Sequence, residues 1–294
     1  MAEMHFPYPH DADPEVFREA LAYSEATTGF TVTLIEKDYY CSLVLQYFFA
    51  SDTSLVFKGG TCLSKVHADF YRLSEDLDLI ISVNVDSDRS ERRAEIEPVK
   101  RMLGALPTVV PGMAISEAFR GHNVSRQYIG YLEYPSAILE KQERIRVEIG
   151  VREPLLDPPE SKAARTIAVN PFSGLPLLTT FAVRAMALRE TYAEKLRAAT
   201  TRREPAIRDF FDLFYAVKEI GLDIHDSEFL STAKAKLEVP GNAPVDLSEE
   251  RKRELYQQLD AELKPVLRPV DFAKFNLDEA FQLVCSAAEA VSFL

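Results

Sequence analysis

The sequence predicts an α+β region followed by an all-α region. Three observations carry this. Short apolar runs at Ser54–Phe57 and Leu77–Val83 alternate with helical patterns in the first half. Two further alternating segments lie at Tyr128–Tyr134 and Ile145–Val151. After about Leu178 only helical spacing remains.

The elements follow in order. Asp13 and Pro14 read as N-cap and first residue of a helix ending near Gly29. A second helix, Thr33 to Ala50, repeats Leu34, Tyr39, Leu43, Val44 and Phe48 at helical spacing. Gly59-Gly60 ends the first strand. Thr61–Tyr71 is helical by Leu63, Val66 and Phe70, and Leu77–Val83 is a strand. Residues 86–101 balance 5 acids against 5 bases, the pattern of a solvated helix. Residues 153–176 hold Pro154, Pro158, Pro159, Pro171 and Pro176 and read as a linker. In the helical half Phe181, Ala185, Leu188, Tyr192 and Leu196 form an inward stripe. Asn276 with Glu279 caps the last helix. The expected domains are 1–175 and 176–294.

Composition excludes several classes. With 34 basic against 46 acidic residues the net charge is −12, so the chain does not coat nucleic acid non-specifically. Cys41, Cys62 and Cys285 are scattered, with no disulfide or zinc spacing. No apolar run reaches the roughly 18 residues of a membrane span, and Met1–Asp13 has no leader pattern. A cytoplasmic protein is expected.

Two motifs carry chemistry. Lys58-Gly59-Gly60-Thr61 stands between a strand and a helix, where glycines let backbone approach a ligand and a helix start suits phosphate. Thr61 and Ser64 could add hydroxyl donors. Taken alone, a tight turn is the plainer meaning. Asp76 and Asp78 then stand two apart at the head of an apolar strand, so both project to one face while Leu77 and Leu79 fill the other. Two such carboxylates repel unless a cation joins them, and oxygen-only donors suit Mg²⁺ or Mn²⁺. Glu148 is a third candidate metal ligand. Arg144 and Arg146 share its face and could simply be its ion partners. Lys195 falls at the margin of its helical stripe and Asp209 on the inner side of its helix, where each needs a partner; in the plainer reading Lys195 snorkels and Asp209 pairs with Arg208 or Lys195. Residues 184–208 hold seven bases against three acids, a candidate anion-binding face or a solvated helix surface.

Ile35-Glu36-Lys37-Asp38-Tyr39-Tyr40, Phe57-Lys58-Gly59-Gly60-Thr61-Cys62-Leu63-Ser64-Lys65 and Arg72-Leu73-Ser74-Glu75-Asp76-Leu77-Asp78-Leu79 together resemble the AbiEii/MenT-type nucleotidyltransferase toxin family. Ala193–Leu196 and Ile207–Leu213 resemble it more loosely. Leu73 departs from the aromatic usual there. The resemblance implies a mixed sheet flanked by helices, related to the DNA polymerase beta superfamily, and a helical C-terminal lobe that completes the active site. It implies triphosphate on Gly59, Gly60 and Ser64, metal on Asp76 and Asp78, triphosphate contact by Lys195, and Asp209 as a further catalytic residue. The candidate nucleotide-binding set is Lys58, Gly59, Gly60, Thr61, Ser64, Lys65 and Lys195. It also implies an NTP substrate, a cognate antitoxin and an RNA acceptor, the tRNA 3′ end. Nucleotidylation of a protein side chain or of the antitoxin, and a non-catalytic nucleotide-binding module, are the alternatives.

Overall fold

A seven-stranded mixed sheet organises the first half of the chain, in the order β3-β4-β5-β2-β1-β7-β6. The structure is a computed structural model that describes residues 8–51 and 54–294. The expectation that the first residues are no leader falls largely on 1–7, outside the described residues. The chain divides into two compact units. The first runs through Pro154 and resumes over Pro159–Ala185, and the second comprises Leu155–Pro158 and Met186–Leu294.

In the first unit, helix α1 is Pro9–Ala12 and α2 is Pro14–Thr28. The Asp13 side chain accepts from the Val16 amide, and Gly29 stops α2 at φ 79°. Helix α3 (Val32–Phe49) is buried on most sides, so it reads as apolar throughout rather than amphipathic. Strand β1 (Leu55–Lys58) leads directly into α4 (Gly59–Cys62), which continues as one wide helical turn over Leu63–His67. The helix expected to reach Tyr71 stops there, because Asp69 and Phe70 both adopt positive φ. Strand β2 (Leu77–Ile81) follows. Helix α5 (Arg89–Val109) starts at an Asp88–Glu91 capping box. It buries Ile96, Val99, Leu103 and Leu106, so only part of its surface is solvated.

Strands β3 (Ala114–His122), β4 (Gln127–Pro135) and β5 (Gln142–Gly150) form an antiparallel meander. Strand β5 then pairs in parallel with β2, which is antiparallel to β1. Strands β6 (Glu160–Ala164) and β7 (Phe181–Ala185) complete the sheet, β7 lying parallel to β1. These two strands correct the sequence reading. The proline-rich stretch is not a linker but carries β6, and Phe181 and Ala185 belong to a strand instead of a helical stripe. The division falls after Ala185, ten residues beyond the expected boundary. One apolar cluster, from Phe17 on α2 to Ala185 on β7, fills this unit.

The second unit is helical: α6 (Leu188–Thr201), α7 (Ile207–Tyr215), α8 (Ser227–Leu237), α9 (Glu249–Gln258), α10 (Pro269–Phe272) and α11 (Leu277–Ser292). Phe210 of α7 and Phe281 of α11 stack at 5.7 Å. Asn276 caps α11 by accepting from the Glu279 amide, as its spacing predicts. Among the described residues no helix is long and apolar enough to cross a membrane.

Candidate active site

Apolar burial fixes β1, since Leu55, Val56 and Phe57 are all buried and only Lys58 reaches partial exposure. Gly59 must then turn the chain, and it does so at φ 76°, a region that costs other residues about 1–2 kcal/mol. A methyl group on Gly59 would stand 2.8 Å from Cβ of Asp78, and one on Gly60 3.1 Å from Cζ of Arg72. The glycines are thus where backbone packs directly on an acid and a guanidinium. Arg72 is buried, donates to the Leu73 carbonyl at 3.1 Å, and was not singled out by the sequence reading. Its position in the quoted motif was the available signal.

Three of the expected nucleotide-binding side chains are already engaged. The Thr61 hydroxyl donates to the Asp76 carbonyl, and the Ser64 hydroxyl donates to the Arg72 carbonyl at 2.6 Å. A hydroxyl has one proton, so these two tie residues 72–76 to the glycine turn and do not donate to phosphate. Lys65 is fully buried and ion-pairs with Asp38. Its other donors go to the Asp38 carbonyl at 3.2 Å and Ser42 Oγ at 2.7 Å. All three ammonium protons are accounted for, so Lys65 is an interior residue rather than a phosphate contact.

Asp78 lies on β2 and Asp76 in the bend just before it. Leu77 and Leu79 are buried while Asp76 and Asp78 keep partial exposure. In register across the sheet, Asp78 stands between Lys58 of β1 and Glu148 of β5. Cross-strand neighbours share a face, so Asp78 and Glu148 project together. Glu148, however, is held by Arg146, and it accepts from Gln127 at 2.5 Å. Burial works to raise its pKa, but Arg146, Gln127 and Lys58 outweigh that and hold it below the usual carboxylate range. Among the described residues no three acidic, His or Cys side chains converge, so Glu148 forms no three-acid cluster with Asp76 and Asp78.

In the second unit, Lys195 of α6 reaches Asp209 and Asp212 of α7, both at 2.8 Å. Arg202 also meets Asp209, at 3.2 Å. Burial tends to raise the Asp209 pKa, but Lys195 and Arg202 prevail and hold it low. Asp212, fully buried three residues after Asp209, was missed by the sequence reading although its spacing places it on the same face. A second interior pair joins Lys236 of α8 to Glu190 at 2.6 Å, and Glu190 also accepts from the Leu156 and Asp157 amides. The expected anion-binding face is largely neutralised: Arg189 pairs with Asp157, Arg197 with Glu194, and Lys195 and Arg202 as described.

Comparison with known proteins places the chain among the nucleotidyltransferases. Two crystal structures from Helicobacter pylori share the fold. A candidate nucleotidyltransferase is 15% identical over 89% of this chain and 96% of its own, with TM-score 0.52. The protein JHP933 is 16% identical over 89% and 93%, with TM-score 0.50. The family model described as nucleotidyl transferase AbiEii toxin, type IV toxin–antitoxin system, matches residues 44–283, and the chain belongs to that family. No curated protein matches the sequence.

Proposed function

We propose that this toxin-family nucleotidyltransferase transfers a nucleoside monophosphate from an NTP to an RNA acceptor in the cytoplasm, and that the acceptor is the tRNA 3′ end. The observation that carries the reading is the pair of half-buried acids Asp76 and Asp78 beside a glycine turn that packs on Asp78. Two carboxylates are a hard, oxygen-only donor set that fits Mg²⁺ or Mn²⁺. Bound there, such an ion would offset polyphosphate charge and lower the pKa of the attacking hydroxyl.

The chain's own residues do the positioning. Gly59 and Gly60 let backbone approach the triphosphate, and Lys58, in register with Asp78, adds positive charge. The family resemblance assigns Lys195 to neutralising charge on the leaving group; within the helical unit Asp209 and Asp212 hold its ammonium, both at 2.8 Å. The acceptor hydroxyl oxygen bonds to the α-phosphorus, the α–β phosphoanhydride bond breaks, and pyrophosphate leaves. The hydroxyl proton passes to solvent. Catalysis is mostly orientation and charge neutralisation. Blocked acceptor ends stop translation, and a cognate antitoxin restrains the activity.

The test uses each of four NTPs labelled at the α-phosphorus, with total tRNA. Asp76→Ala and Asp78→Ala should each lose more than the ~10–100-fold that changes in a metal's outer shell cost. Full activity in either variant refutes the acid-pair reading. Label that survives RNase and is removed by protease moves the acceptor from RNA to protein.

A further inference from the structure

The acid pair does not stand alone on its sheet face. Leu77 pairs with Val147 and Asp78 with Glu148 in parallel register. Arg146 stands two residues before Glu148 on β5, so alternation puts both on the same half-exposed face as Asp78, because Ile145, Val147 and Ile149 fill the core side. Lys58 closes the row on the other flank. Asp76 stands in the bend just before β2. Arg146 is thus the cation that the register sets diagonally across from Asp78, next to the acid pair. It also grips the Glu148 carboxylate, whose other oxygen is taken by Gln127.

We infer that Arg146 is the built-in counter-cation of the acid pair, and that Glu148 is its holder rather than a ligand of any metal. The inference rests on the reading of Asp76 and Asp78 as the metal pair and adds a positioning residue that sets how tightly that pair takes a divalent ion. Arg146 offsets the repulsion between the aspartates while they hold no metal, and it opposes an arriving dication. Glu148 and Gln127 fix the guanidinium in place. That arrangement explains why the third acid of the face, in register with Asp78, does not converge with the other two. Electrostatics agree: burial works against the charge on Arg146, but Glu148, Asp76 and Asp78 together outweigh it. The affinity of the site for metal is then set by a fixed pair on β5 that never touches the ion, and dication binding is held weak until NTP phosphates bring further oxygens.

The experiment is titration of the full-length protein with Mn²⁺ alone, read by the loss of the free-ion paramagnetic resonance signal. Arg146→Gln should tighten Mn²⁺ binding by about tenfold, a change of ~1.4 kcal/mol. Arg146→Lys, which keeps the charge, should stay within about threefold of the wild type. The double variant Arg146→Gln/Glu148→Gln removes a neutral pair and should also stay within that range. Unchanged affinity in Arg146→Gln overturns the counter-cation role. A loss of more than about tenfold in the double variant overturns the holder role, because it makes Glu148 a ligand. Asp78→Asn is the control on the underlying reading: if it binds Mn²⁺ as the wild type does, the acid pair is not the metal site and the inference falls with it. Melting temperatures of all variants separate these shifts from unfolding.

Discussion

Replacing Lys65 by Met separates an interior role from a nucleotide contact. The Lys65 side chain is fully shielded from solvent and that of Asp38 almost fully. Asp38 also accepts from the Thr166 hydroxyl and the Ile167 amide, both at 2.9 Å, so the ion pair binds α3, the turn after α4 and the segment before β7. Met keeps the length of the stem and leaves no large void. What it removes is the charge that balances Asp38 in that network. Losing one partner of a buried pair costs about 3–5 kcal/mol, and no solvent discount applies at this exposure. At roughly 2–4 °C per kcal/mol for a unit of this size, the melting temperature should fall by about 6–20 °C. Asp38→Asn in the same chain removes both charges while keeping an acceptor for Thr166 and Ile167, so the double variant should regain at least half of the loss. The assay is thermal and urea unfolding by circular dichroism, since the chain has no Trp. KM for NTP should stay unchanged below the transition. A melting temperature within about 2 °C of wild type together with a raised KM would refute the reasoning and return Lys65 to the nucleotide.

Gly59→Ala meets both a positive φ and the Asp78 side chain. It should lower the melting temperature by about 2–8 °C and cut label transfer by at least tenfold, measured with labelled NTP. Lys195→Ala strips the shared cation from Asp209 and Asp212. It should destabilise by about 3 kcal/mol and raise KM for NTP, whereas Lys195→Arg should recover both; an unchanged KM would make Lys195 purely structural. His10 sits with its ring between the Tyr39 hydroxyl at 2.8 Å and the Pro111 carbonyl at 3.0 Å. Burial lowers its pKa, against smaller raising effects from Pro111 and Asp11. The neutral ring's stabilising share is therefore complete above about pH 6.5 and is lost as pH falls through the lower folded value. Protection of the Asp11 and Ala12 amides relative to their intrinsic exchange rate should fall on acidification, and His10→Gln should abolish that fall.

Local features were more legible than strand pairing, for physical reasons. Asp76 and Asp78 stood out because period-two alternation with Leu77 and Leu79 is local and needs no knowledge of partners. The Asp13, Gly29 and Asn276 caps are likewise local. Strand β7 was hidden because Phe181–Ala185 precedes α6 by two residues and its partner β1 lies more than a hundred residues earlier. Strand β3 has irregular register and mostly exposed residues, so it shows no alternation. Lys65 looked like a phosphate residue because it follows a glycine turn; its true partner, Asp38, lies on another helix. For Glu148, the ion partner visible two residues away, Arg146, was the one that mattered.

The pairing of β1 with β7 ties the glycine turn to chain made much later. Until residue 185 has left the ribosome, the strand bearing Lys58 lacks its neighbour on one side, and β2 has to wait for β5. Growth from the N-terminus therefore completes the sheet around the glycine turn only after more than half of the polypeptide exists. A toxin of this family built on this plan closes its central sheet late in its own synthesis.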